Sequence, residues 1–146
     1  MSIMKMRVQA VSETPTRVKV GTRGFNIIID EPEQMGGTNL GMTPVEGLLS
    51  TYSACISITF RAIAEQMNIK IDSLNIITTG LMDNDKFRGI ETDQRVGLYD
   101  INLKVDVKTD ADQATIDKIL QMAEEKCPVT DNIKNETPVT ISAKII

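Results

Sequence analysis

A chain of 146 residues with 41% hydrophobic content is long enough to bury most of the surface its unfolded form exposes, and its size fits one domain over residues 1–146. Its net charge is −4 with acidic and basic residues interspersed, which removes the electrostatic basis for a nucleic-acid surface. Histidine is absent, so Ser-His-Asp and Cys-His catalysis in their usual forms are excluded, and a zinc site would have only two thiols and carboxylates.

Aromatic residues make up only 3% and Trp is absent, so the core must be built from Ile, Val, Leu and the eight Met. The start, Met1 to Arg7, has no apolar segment of the secretory kind, and no run of about 18 apolar residues offers a bilayer span. A soluble, cytoplasmic protein without nucleic-acid or membrane partners is expected.

Lys5 to Ser12 alternates weakly, Arg17 to Gly21 alternates well, and Gly24 to Asp30 carries Phe25, Ile27, Ile28 and Ile29. Turn residues at Glu13 to Pro15 and at Gly21 to Gly24 separate them, which predicts a three-stranded meander. Glu31 to Met42, with Pro32, Gly36, Gly37, Asn39 and Gly41, reads as a loop. It carries no phosphate-binding fingerprint.

Thr43, Pro44, Val45 and Glu46 then spell a capping box with Pro at the first helical position. From Leu48 to Ala64 apolar side chains fall at most angles around the axis and no charge appears before Arg61, so the helix is expected to be buried on nearly all sides. Its polar interruptions are small hydroxyls, which can bond their own backbone carbonyls away from water. Cys55 sits in its middle.

A second β region follows, Ile69 to Leu81 and then Leu98 to Lys108, the latter alternating through Tyr99, Ile101, Leu103, Val105 and Val107. The polar stretch between them reads as a long hairpin connection. Asp110 or Asp112 opens a second helix whose stripe runs Ile116, Ile119, Leu120, Ala123 and Cys127. Pro128 stops it or begins a short further turn. Thr137 to Ile146 alternates again and reads as a closing strand, which makes the order βββ, α, ββ, α, β and the class α+β.

A thiol attacks only as thiolate. Cys55 lies about 18 Å along the helix from its start, beyond help from the dipole, and burial raises its pKa. An active Cys55 therefore needs a cation from elsewhere, and Arg suits this better than Lys. Arg17, Arg23, Arg88 and Arg95 are the candidates, while Glu46 lies on the opposite helix face and caps. Cys127, just before a possible helical turn, has its own means of lowering its pKa. Against all this stands a plainer possibility: lone cysteines on apolar helices are more often packing than chemistry.

Glu31 to Gly37, then Thr43 to Leu49, then Ser53, Ala54 and Cys55, and far downstream Ala123 to Val129 resemble the OsmC/Ohr family of thiol peroxidases. The similarity runs from about Arg17 to Ile146. It implies an intertwined α+β homodimer in which Cys55 is the peroxidatic thiolate, oxidised by an organic hydroperoxide, and Cys127 resolves the sulfenic acid as a disulfide. A dithiol reductant, in this family often a lipoyl group, would restore both thiols, and no cofactor is implied. The family also carries an Arg near the first hairpin, matched best by Arg17 and second by Arg23, and a Glu directly after the helix-opening Pro. Here that place is Val45 and the Glu comes one residue later, as Glu46. A non-enzymatic dimer of this fold that binds an apolar ligand or senses redox state is the competing expectation.

Overall fold

The structure, a computed structural model, describes residues 2–146. The chain forms two compact units, Met1–Leu49 and Ser50–Ile146.

In the first unit three short strands, β1 (Gln9–Ser12), β2 (Val18–Thr22) and β3 (Phe25–Ile29), make the expected antiparallel meander. Ser12 pairs with Val18 and Thr22 with Phe25, so both connections are tight. The first is closed by the amides of Glu13 and Thr14, which donate to the Arg17 carbonyl at 2.9 and 3.2 Å, and by the Arg17 amide, which donates to Thr14 Oγ1 at 2.9 Å. The second turn places Arg23 and Gly24 at positive φ, the conformation glycine adopts without strain.

The loop after β3 wraps around one buried carboxylate. Asp30 is fully inaccessible to solvent and accepts hydrogen bonds from the amides of Glu31, Thr38 and Leu40 and from the Thr38 hydroxyl, at 2.5–3.2 Å. An ionised carboxyl is the natural acceptor for so many donors. The Thr38 hydroxyl bond outweighs burial and, with the backbone bonds, lowers the Asp30 pKa to about 2. Gly37 lets the loop close: a Cβ there would meet the Glu31 carbonyl oxygen at 1.7 Å.

Because the folded pKa lies below the unfolded one, stability contributed by Asp30 is fully present above 3.8 and is lost as pH falls toward about 2. Melting temperatures between neutral pH and pH ~2 should therefore fall more steeply for the native chain than for Asp30→Asn, which starts less stable but lacks this titration. Parallel curves would show that Asp30 contributes no such linkage.

Helix α1 (Pro44–Gln66) starts as the sequence predicts. The Thr43 amide donates to Glu46 Oε2 at 2.8 Å and the Glu46 amide to Thr43 Oγ1 at 3.3 Å, a complete capping box. Further along, the Thr59 hydroxyl donates to the Cys55 carbonyl at 2.8 Å, as expected of a hydroxyl in an apolar helix.

In the second unit α1 is followed by the antiparallel pair β4 (Ser73–Leu81) and β5 (Tyr99–Lys108), then by α2 (Gln113–Lys126) and α3 (Pro128–Lys134). Of the two candidate starts for α2 the chain uses Asp112, whose carboxylate accepts the Thr115 amide at 2.8 Å. Leu74, Ile76, Leu103, Val105 and Val107 turn to the half-buried face of the pair, and Ile77 points outward. Phe60, Ile63 and Ala64 of α1 pack with Ile119 and Ala123 of α2 into one core. Tyr52, Ile56 and Cys127 form a second.

Two expectations need correction. The closing strand over Thr137 to Ile146 is not formed: among the described residues the two sheets are β1-β2-β3 and β4-β5, and a strand without a neighbour has nowhere to place its backbone hydrogen bonds. Nor is α1 buried on nearly all sides. Tyr52, Ile56, Phe60, Ile63 and Ala64 are buried, but Ile58 is 71% exposed, because a single chain supplies packing partners for one side of the helix only. By length and composition α1 also passes as a membrane-crossing helix, since small hydroxyls dilute its hydrophobicity less than charges would. Its buried side chains are instead those of the two cores.

Candidate active site

Cys55 and Cys127, far apart in sequence, meet in the second unit with their sulfurs 2.8 Å apart. Helix periodicity brings each there. Cys55 lies on α1 between Tyr52 and Ile56, whose side chains face the second core, and Cys127 ends the stripe Ile116, Ile119, Leu120, Ala123 of α2. Ile76, Ile101, Leu103, Leu120, Val129 and Ile133 pack around the pair. Both thiols are free, Cys55 half-buried and Cys127 1% exposed.

Cys127 is also the residue at which the chain turns. It closes α2 and caps α3, where Pro128 sits at the first helical position and the Thr130 amide donates to Cys127 Sγ at 3.4 Å. Lys134 on α3 forms an ion pair with Glu124 on α2, which ties the two helices together across the cysteine.

The surroundings treat the two thiols differently. Burial raises the pKa of Cys55, and its hydrogen bond with Cys127 raises it further; the Val129 amide opposes this only in part. At Cys127 burial also acts upward, but the hydrogen bonds from Cys55, Thr130 and Val129 outweigh it and lower the pKa. Their surroundings thus push the pKa values of the two thiols apart, Cys55 upward and Cys127 downward. Making Cys55 the thiolate requires a cation, as its distance from the helix start already demanded.

Of the other candidates, Arg88 and Arg95 lie in the connection between β4 and β5 of the second unit, and Arg17, Arg23 and Glu46 lie in the first. Arg17 is fixed beside the first hairpin turn: its Nε donates to Glu13 Oε2 at 3.0 Å and its Nη1 to Thr38 Oγ1 at 3.1 Å. Arg23 sits in the second turn with its guanidinium 5.8 Å from the centre of the Phe25 ring. Glu46 closes the capping box of α1. The structure therefore unites the two cysteines, and it gives Arg17 a carboxylate partner that sequence reasoning missed. Glu13, four residues before Arg17 across a tight turn, was the available signal for it. The Asp30–Thr38 pair had no signal.

The family model described as OsmC-like protein matches residues 37–142. The chain belongs to this family. Among curated proteins no relative matches. Among solved structures, an OsmC-like protein from Mycoplasma pneumoniae is 24% identical with a TM-score of 0.78, over 90% of this chain and 88% of the other. An organic hydroperoxide resistance protein OsmC from Legionella pneumophila is 14% identical with a TM-score of 0.64, over 92% of each chain. An organic hydroperoxide resistance protein from Elizabethkingia anophelis is 13% identical with a TM-score of 0.66, over 89% and 88%. The OsmC-like fold expected from the sequence is thus the fold of this chain, with Cys55 and Cys127 both inside the matched span.

Proposed function

We propose that this OsmC-like protein is a thiol peroxidase that reduces organic hydroperoxides in the cytoplasm as a homodimer, with Cys55 as the peroxidatic and Cys127 as the resolving residue. The observation that carries the reading is the 2.8 Å separation of two free sulfurs on separate helices, less than an ångström beyond a disulfide bond. Packing alone gives two cysteines no reason to meet.

The chemistry balances with these groups. The Cys55 thiolate attacks one oxygen of the hydroperoxide, the O–O bond breaks, and the alkoxide leaves and takes up a proton as the alcohol. The sulfenic acid formed is then attacked by the Cys127 sulfur, which displaces its oxygen as water and closes the disulfide. An external dithiol reductant, lipoyl or similar, exchanges through a mixed disulfide and returns both thiols. Arg17 is assigned as the cation that offsets the raised pKa of Cys55 and holds its thiolate, with Arg23 as the second choice. Glu46 is left as the cap of the helix that carries Cys55.

The apolar shell of Ile76, Ile101, Leu103 and Val129 favours an organic hydroperoxide over hydrogen peroxide. Tyr52, Ile56, Ile101, Leu103 and Leu120 also line a cleft of about 270 Å³ with Glu124 and Lys134 at its edge. Two uncovered apolar surfaces support the homodimer. One is the side of α1 with Ile58; the other is the C-terminal segment, where Val139, Ile141 and Ile145 are 78–98% exposed.

Reduced protein should show two titratable thiols that disappear after one equivalent of cumene hydroperoxide, with a Cys55–Cys127 crosslinked peptide in the mass spectrum. Thiols that persist through excess peroxide would end the peroxidase reading. The raised pKa of Cys55 favours a second one, a dimer of the same fold without turnover. A Cys55 pKa above about 8.5 in the assembled protein would decide for it.

A further inference from the structure

We infer that Glu13, Thr38 and Asp30 form a clamp that positions the Arg17 guanidinium, and that this clamp replaces the carboxylate which the family carries directly after the helix-opening proline. The inference rests on the reading of Arg17 as the arginine of the site.

The clamp is built in layers. The hairpin turn fixes the backbone first, since the Arg17 amide and carbonyl are both bonded within Glu13 to Arg17. Glu13 then holds the side chain by Nε, and Thr38 holds it by Nη1. Guanidinium has donors only, so Thr38 Oγ1 must accept from Arg17 and send its single proton elsewhere. That proton goes to Asp30 Oδ2 at 2.5 Å. Asp30 accepts three backbone amides as well, which anchors the chain Asp30–Thr38–Arg17 in the loop backbone.

The arrangement fixes the plane of the guanidinium by two bonds at different nitrogens. Among the described residues Nη2 has no acceptor, and it stays available to an anion. Val45 and Glu46 explain why a substitute is needed. Val45 occupies the place of the family carboxylate, and Glu46 spends its own carboxylate on the Thr43 amide. A lone exposed ion pair of the Glu13–Arg17 kind would hold the arginine weakly. Thr38 is itself exposed, and its tie to the fully buried Asp30 carboxylate is what anchors the second contact.

The test is the rate of Cys55 oxidation by cumene hydroperoxide across pH, measured for the full chain and for Arg17→Met, Glu13→Ala, Thr38→Val and Thr38→Ser. A clamp predicts that Glu13→Ala and Thr38→Val each slow the reaction by roughly tenfold to a hundredfold. It further predicts that both move the midpoint of the pH–rate curve upward and that Thr38→Ser restores wild-type behaviour. In the Arg17→Met background Glu13→Ala should add nothing, because its effect passes through the guanidinium. The inference is overturned if Glu13→Ala reacts like wild type, or if it slows Arg17→Met protein as much as it slows the native chain.

Hydrogen exchange at the arginine Nε–H, followed by NMR, reads the clamp without any turnover. Arg17 should exchange more slowly than Arg88 and Arg95, and should lose that protection in Glu13→Ala. An Arg17 signal as fast as theirs overturns the clamp whether or not the protein reduces peroxides. Unreactive wild-type protein with a protected Arg17 supports the clamp and removes the peroxidase reading instead.

Discussion

Cys55→Ser should lose reaction with cumene hydroperoxide by at least ~10³-fold, while Cys127→Ser should consume one equivalent and stop. The asymmetry follows from the roles proposed for the two sulfurs. A serine hydroxyl at position 55 stays protonated at neutral pH and presents no anion to the peroxide oxygen. A serine at position 127 leaves the first attack intact and removes only the group that would displace the sulfenic oxygen. Dimedone should then label Cys55 in Cys127→Ser protein, where the sulfenic acid has no internal exit.

Exposure favours this assignment, because Cys55 is half-buried whereas Cys127 is 1% exposed and reached less easily. Acidity within the second unit favours the reverse, since hydrogen bonds from Thr130 and Cys55 lower the Cys127 pKa. The two variants decide between them. One equivalent consumed by Cys55→Ser, with a dimedone adduct on Cys127, would reverse the roles and leave Arg17 without its assigned task.

Phe60→Ala should cost about 3–5 kcal/mol, a large share of the ~5–15 kcal/mol that holds an ordinary domain together. Phe60 is completely buried and packs with Ile63, Ala64, Ile119 and Ala123, the contact that joins α1 to α2. Truncation leaves a cavity that two helices already pinned by their other side chains close only in part. Ile58, two residues earlier on the same helix, is the control, because it is 71% exposed. Ile58→Ala should change the stability of a single chain by no more than about 0.5 kcal/mol. Urea unfolding measures both. A larger loss at Ile58 that grows with protein concentration would show that a second chain covers this side of α1, as the proposed homodimer requires.

Local rules read from the sequence reached a long way. The capping box at Thr43 and Glu46, the tight turns of the first meander and the alternation of β5 depend on neighbours a few residues away, and each is formed as expected. The 3.6-residue period carried the stripe of α2 to Cys127 and so located the second thiol on a buried face. Pro128, which could stop that helix or begin another, does both by starting α3 directly behind Cys127. Periodicity misled at α1 and at the C-terminal segment. In both places apolar side chains are left exposed among the described residues.

By itself, then, the sequence determined the elements, their order up to the last strand, the absence of histidine and the membership of an OsmC-like family. Only the tertiary structure decided that the two sulfurs touch, that burial beside Cys127 pushes the Cys55 thiol up, and that Arg17 is held by Glu13 and by a threonine tethered to a buried aspartate. The physical reason is one of range. Caps, turns and periodicity are set by residues adjacent along the chain, whereas the pKa of a thiol and the direction of a guanidinium are set by whichever groups folding brings within hydrogen-bond distance.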